Sequence, residues 1–176
     1  AAKKADYVIF VGGMNKAHNQ DCEDGDRLHY ELPYAQDQLI TALAAVNDHV
    51  IFVSISGNAH GMPWCNDVEA ILQAWYSGSE TGHAVADVIF GDVNPSGKLP
   101  YTIQPTLADY PAHQYGEIAY PGVDKQVHYL EDIFVGYRYA DLYGTRRPIK
   151  YASQGVQYTI NPPKRKPIFP FGFGLS

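Results

Sequence analysis

Asp21, Glu23, Asp24 and Asp26 place four carboxyl groups within six residues, and Arg27 follows directly. Carboxylates this close repel one another, which raises the pKa of some members and favours a protonated form. The adjacent guanidinium can hold one acid in a bidentate pair, either Asp26 or an acid from elsewhere in the fold. Glu23 is then left to serve as a proton donor, the chemistry of general acid–base catalysis. The plainer reading is a solvated acidic loop ahead of a helix, whose dipole favours negative charge at its start. His18 lies in the same loop, and with His60 and His113 it belongs to the histidines expected in crevice loops.

Other motifs fail on spacing. Gly12-Gly13 follows an apolar run, but neither G-x-G-x-x-G nor a Walker lysine follows, so a nucleotide site is not supported. Ile55-Ser56-Gly57 lacks the G-x-S-x-G frame of a nucleophile elbow. Gly25 and Glu31 fall where a calcium loop has its sixth and twelfth positions. Gln20 and Cys22, however, occupy the first and third, which breaks the ligand set. The seven His are scattered, with no H-E-x-x-H and no pair at helical spacing. No metal and no cofactor are expected.

The elements that must position these residues follow from periodicity. Tyr7-Val8-Ile9-Phe10-Val11 reads as a strand buried on both faces of a parallel sheet. A long polar loop over residues 15–31 follows, and loops of this length in compact domains are often functional. Pro33 is expected to open a helix whose apolar face is Leu39, Ile40, Leu43 and Val46, ending near Asn47. Residues 50–55 read as a second buried strand, residues 70–72 as a third, and residues 81–90 as a helix turning Val85, Val88 and Ile89 inward. Alternating strands and helices argue for an α/β fold with a mostly parallel sheet. Ligands of such sheets bind outside the carboxyl ends of the strands, where the acidic loop emerges. Residues 133–139 are read as a last strand or an irregular aromatic segment. Residues 144–168, with Arg146, Arg147, Lys150, Lys164, Arg165 and Lys166, are read as a solvated loop.

Composition narrows the function classes. The chain has 176 residues, one domain's worth, with a formal charge of −6 from 13 Lys and Arg against 19 Asp and Glu, so no nucleic-acid partner is expected. No apolar run approaches the roughly 20 residues that span a bilayer, and no membrane partner is expected. Two cysteines exclude a disulfide scaffold and leave the compartment open. The 14 Tyr suit loops that bind polar ligands. With no initiator Met and no signal-peptide pattern, the chain is read as a piece of a longer protein.

Glu23-Asp24-Gly25-Asp26-Arg27, then Leu32-Pro33, Gln36 and Gln38-Leu39-Ile40, resembles the E-G-x-D-R…L-P-x-x-Q-x-x-L-I signature of glycoside hydrolase family 3. The likeness runs on through Ser56-Gly57, Met62-Pro63-Trp64, Ala74-Trp75-Tyr76-Ser77-Gly78 and Glu80. It continues from Ala86 through Asp92-Val93-Asn94-Pro95-Ser96-Gly97-Lys98-Leu99-Pro100 and through residues 133–139. It closes at Phe169-Pro170-Phe171-Gly172-Phe173-Gly174-Leu175-Ser176. The blocks come in the family's order and cover most of the chain.

The resemblance implies a C-terminal-side domain of a β-glucosidase-like enzyme, a six-stranded (α/β)6 sandwich of flavodoxin-like layering, as a single domain over residues 1–176. It implies a preceding (β/α)8 barrel of the same polypeptide as partner, supplying an Asp nucleophile, and a β-glucoside or oligosaccharide as substrate. By motif position the general acid/base is Glu23. Beside it, Arg27, Asp26, His18 and Tyr30 are expected to line or support the site. The reaction implied is retaining, exo-acting removal of terminal β-linked glucosyl residues, with β-xylosidase as the alternative within the family. The family has Gly where this chain has Asp24, and nothing is carried over onto residues 144–168. A non-catalytic carbohydrate-binding module and a flavodoxin-like nucleotide-binding domain are the readings outside catalysis.

Overall fold

The run Val50-Ile51-Phe52-Val53-Ser54-Ile55 forms the central strand β2 (Val50–Ile55), flanked in parallel by β1 (Val8–Gly13) and β3 (Ala70–Gln73). Val8 lies opposite Val50 and Gly13 opposite Ile55, while Ile51 lies opposite Ala70. This computed structural model describes all residues except His18, Asn19, Asp24, Asp26 and Gln154, and all side chains except those five and Tyr151, Ser153 and Val156. Val50, Phe52, Val53 and Ser54 are fully buried, as a central parallel strand requires. The apolar run of β1 predicts the same, and there the structure differs. Ile9 and Val11 are 44% and 59% exposed, whereas Val8 and Phe10 are half-buried. β1 is an edge strand covered on one face, and an apolar run alone does not separate edge from centre.

The helix following the acidic loop, α1 (Gln36–Ala44), packs on β1 and β2. It starts three residues beyond Pro33, because Tyr34 and Ala35 adopt left-handed backbone with φ of 61° and 58°. That turn swings Gln36 over the end of β1. Its Nε2 donates to the carbonyls of Gly13 at 2.8 Å and Pro33 at 2.9 Å, and the Gly13 N–H donates to its Oε1 at 2.7 Å. A Cβ on Gly12 would lie 2.4 Å from Gln36 Oε1, and one on Gly13 (φ +133°) would lie 2.0 Å from the Ile55 carbonyl oxygen. The glycine pair therefore serves a helix–strand junction. Of the predicted apolar face only Ile40 is fully buried, while Leu39 and Val46 remain exposed. The helix α2 (Thr81–Phe90) half-buries Val85, Val88 and Ile89 as expected and ends on Gly91 in left-handed conformation.

Trp64 anchors the core beneath the sheet's end. Its ring meets Phe52 edge-on at 4.8 Å, and Phe10 stacks on Phe52 at 5.8 Å. Its Nε1–H donates to Asp37 Oδ1 at 2.6 Å, and the Leu32 N–H donates to Asp37 Oδ2 at 3.1 Å. Burial pushes the Asp37 carboxyl above its usual range, opposed by these two donors.

The chain divides into two compact units, Ala1–Gly97 with Leu175–Ser176, and Lys98–Gly174. The second holds α3 (Pro111–Gln114), α4 (Tyr137–Ala140) and an antiparallel pair of β4 (Ile149–Ser153) and β5 (Val156–Ile160). Of the two readings of residues 133–139, the strand is not formed: a 3-10 turn at Asp132–Phe134 leads through Gly136 into α4. One expectation is corrected in this unit. Residues 144–168 are not one solvated loop, since they fold into the β4–β5 hairpin with Gly155 at φ 78° in its turn. Arg165 from the same stretch grips Asp109 through Nε at 3.0 Å and Nη2 at 2.6 Å.

Within this unit Ile103 pairs with Phe169 as an antiparallel bridge, and Leu99 exchanges backbone hydrogen bonds with Gly172 and Phe173. Leu99 and Ile103 thus lie beside the Phe169–Phe173 run. The fold is α/β with a parallel sheet and helices. Among the described residues that sheet has three strands, where the resemblance implies six.

Candidate active site

Because β1, β2 and β3 run parallel, the segments leaving them emerge at one end of the sheet. The loop after β1 carries the acidic cluster. Cys22 and Gly25 pair across an isolated antiparallel bridge, with the Cys22 Sγ donating to the Gly25 carbonyl at 3.5 Å. Glu23 sits in the turn between them, exposed. With Lys16, Asp21 and Cys22 it lines an open pocket of about 430 Å³.

Both flanks of the turn are tied to neighbouring segments. Asp21 accepts hydrogen bonds from the Gly57 N–H at 3.1 Å, Asn58 Nδ2 at 3.3 Å and the Tyr76 hydroxyl at 2.6 Å. Arg27 donates through Nη2 to the Ala59 carbonyl and through Nη1 to the Met14 sulfur at 3.2 Å, and its guanidinium lies 5.9 Å from the Tyr30 ring centre. Burial, reinforced by the hydrogen bond to Asp21, pushes the Tyr76 hydroxyl up to about 12, so it stays a donor at any working pH.

Beneath this lies a buried polar chain. His60 is 0% exposed, and its Nδ1 faces the Gly61 carbonyl at 2.9 Å. A carbonyl only accepts, so Nδ1 carries the proton and Nε2 accepts from the Ser54 hydroxyl at 2.9 Å. Ser54 continues to Ser56 at 3.2 Å, and Gln73 Nε2 donates to Ser56 Oγ at 3.1 Å. Burial lowers the His60 pKa to about 4, against the Gly61 hydrogen bond and with help from the Arg27 charge. His60 is thus a neutral core residue and not a crevice ligand.

Of the residues singled out in the sequence, Glu23 and Arg27 flank Gly25 in the loop at the sheet's carboxyl end, while Asp26 and His18 lie outside the described residues, as does Asp24. His113 belongs to the second unit, where its ring meets Tyr120 at 5.1 Å. Sequence reasoning missed the part played by Asp21 as an acceptor and by Gly57, Asn58 and Tyr76 as its donors. No local signal marks them, since Tyr76 is 55 residues away from Asp21. Among the described residues no group of three or more His, Cys, Asp or Glu gathers to hold a metal ion. No described helix is long and apolar enough to cross a membrane. What the arrangement offers chemically is an exposed carboxyl group on a tethered turn, suited to proton transfer at a surface open to a ligand.

Residues 1–137 match the family model of the glycosyl hydrolase family 3 C-terminal domain. The chain is 50% identical over 175 residues to the β-glucosidase BoGH3A of Bacteroides ovatus, covering 99% of this chain and 21% of that protein. It is 36% identical to the thermostable β-glucosidase B of Acetivibrio thermocellus, covering all of this chain and 20% of that one. A crystal structure of the Kluyveromyces marxianus β-glucosidase in complex with glucose superposes with a TM-score of 0.79 at 35% identity, over 99% of this chain and 18% of that one. DesR, a β-glucosidase of Streptomyces venezuelae solved with D-glucose, gives 0.78 at 34% identity, over 99% and 19%. The chain spans about a fifth of the length of the curated relatives it matches. Sheet, motif order and these likenesses agree: the chain belongs to the glycosyl hydrolase family 3 C-terminal domain family.

Proposed function

We propose that this chain is part of a retaining, exo-acting β-glucosidase, to which it supplies the general acid/base, Glu23. The observation that carries the reading is the placement of Glu23, exposed on a tethered turn and lining an open pocket, in a chain 50% identical to a β-glucosidase. Retaining glycosidases need two carboxyl groups about 5–5.5 Å apart, one attacking the anomeric carbon and one protonating the departing oxygen. In this proposal a barrel domain of the same polypeptide carries the nucleophile, and the Glu23 loop completes the site.

The protonated Glu23 carboxyl donates its proton to the glycosidic oxygen as the C–O bond breaks and the nucleophile bonds to the anomeric carbon. The resulting carboxylate then takes a proton from the water that attacks that carbon and releases the sugar. Docking against a dry surface and substrate would exclude water around the Glu23 carboxyl group as its proton moves.

The test uses Glu23→Ala in the full-length enzyme. The reading predicts that kcat/KM on glucosides with poor leaving groups falls by about 10²–10⁴-fold, while 2,4-dinitrophenyl β-glucoside is affected far less. Equal slowing of both, or none, removes Glu23 from the role. The purified 176-residue chain alone is expected to hydrolyse nothing, and measurable turnover of an aryl β-glucoside by it would overturn the shared-site reading.

A further inference from the structure

We propose that Asp21 is a positioning residue for the reaction, its carboxylate clamped by Gly57, Asn58 and Tyr76 so that the Glu23 turn is held at one angle to the substrate. The proposal rests on the reading of Glu23 as the acid/base and adds what aims it.

Glu23 is exposed in the short turn between Cys22 and Gly25. A general acid must nevertheless come within about 2.6–3.2 Å of the oxygen it protonates. A misplacement of about 1 Å costs on the order of 100-fold in rate. The restraint on the turn comes from its base. Asp21 directly precedes Cys22, one side of the bridge to Gly25, and ties the start of the Glu23 turn to the loops after β2 and β3.

Asp21 Oδ2 accepts from the Gly57 N–H at 3.1 Å and from the Tyr76 hydroxyl at 2.6 Å, and Oδ1 accepts from Asn58 Nδ2 at 3.3 Å. The donors come from two segments, one leaving β2 and one leaving β3, so the turn is referenced to two adjacent strands of the rigid sheet. The Tyr76 contact has the short length of a charge-assisted O–H···O⁻ bond.

The surroundings are shaped to this clamp. A Cβ on Gly57 would lie 3.1 Å from the Tyr76 ring and 3.2 Å from Asp21 Oδ2, so glycine lets the three groups close together. Trp75, the residue before Tyr76, is held in left-handed backbone at φ 57°. A non-glycine residue persists there only when its surroundings over-determine it, a form of strain that clusters at functional sites. On the far flank Arg27 reaches the Ala59 carbonyl in the same loop that supplies Gly57 and Asn58.

The test is made in the full-length enzyme with Tyr76→Phe, which deletes one hydroxyl, and with Asp21→Ala. Values of kcat/KM, which report the step that cleaves the glycosidic bond, are measured on cellobiose and on 2,4-dinitrophenyl β-glucoside, whose leaving group needs no proton. The proposal expects Tyr76→Phe to lose about tenfold and Asp21→Ala up to about 100-fold on cellobiose, with less than about threefold on the activated substrate. It also expects the Asp21→Ala/Glu23→Ala double variant to lose no more on cellobiose than Glu23→Ala alone, because nothing remains to be aimed. Equal losses on both substrates, unchanged rates in both single variants, or a multiplicative further loss in the double variant would overturn it. Should Asp21→Ala fail to fold, Tyr76→Phe decides alone by the same ratio. Failure of the underlying reading is read separately, from Glu23→Ala slowing the two substrates equally.

Discussion

Replacing His60 by glutamine should flatten the acid side of this protein's stability curve. His60 is fully buried and held neutral, with a folded pKa of about 4 against 6.5 for the free side chain. Between those values the unfolded chain binds a proton that the folded chain refuses, so stability rises with pH across this window and is lost as pH falls through it. Integrated from pH 7 to pH 5, the difference is about 2 kcal/mol, and below pH 4 it levels off near 3 kcal/mol. Asp37 works in the opposite sense. Its raised pKa means that the folded chain holds a proton the unfolded chain gives up, so its contribution is present at low pH and is lost as pH rises through the folded value.

The two effects separate in a comparison of variants, because His60→Gln removes the first and leaves the second. Urea unfolding of the 176-residue chain at pH 7 and pH 5, followed by the fluorescence of its two tryptophans, Trp64 and Trp75, reads the unit that contains both groups. The wild type should lose about 2 kcal/mol more than His60→Gln between the two pH values, whatever offset the substitution adds at both. Identical pH dependence in the two proteins, or a His60 imidazole titrating near 6.5 by NMR, would refute the assignment of a buried, neutral His60 beneath the site.

Other perturbations test the scaffold. Trp64→Phe removes the Nε1–H that meets Asp37 at 2.6 Å and leaves a gap in the core, so unfolding should show a loss of about 2–4 kcal/mol. Gly13→Ala drives a Cβ to 2.0 Å from the Ile55 carbonyl oxygen at φ +133°, so a loss of about 4 kcal/mol or outright failure to accumulate folded protein is expected on expression. Arg165→Ala breaks a pair in which the arginine side chain is 51% exposed, so its cost should be only about 0.5–1 kcal/mol and should shrink in high salt.

The elements that the sequence revealed are those whose signal is local. β2 and α2 follow from an apolar run and a helical period, and β3 from a short run with turn residues around it. The exposure of β1 was hidden, because edge and centre are decided by what lies beside a strand. The true start of α1 was hidden as well, since Tyr34 and Ala35 take left-handed backbone without being glycine. The β4–β5 hairpin left one trace, Gly155 in its turn, which the basic residues around it obscured.

At the site, Glu23 was legible through its motif, whereas the clamp on Asp21 was not. Its donors at Gly57, Asn58 and Tyr76 come from segments brought together only by the parallel order of the strands. Arg27 was expected to grip a carboxylate, and the bonds described for it reach the Ala59 carbonyl and the Met14 sulfur.

Glu23 as the acid/base of a retaining glucosidase is tested most directly by the product formed when azide is supplied to the Glu23→Ala full-length enzyme with 2,4-dinitrophenyl β-glucoside. Without a general base the glucosyl intermediate reacts slowly with water, while azide needs no deprotonation and attacks it directly. A turnover rate restored by azide and a β-glucosyl azide product are expected. An α-glucosyl azide would make Glu23 the nucleophile, and a rate unaffected by azide with glucose as the only product would contradict the acid/base role.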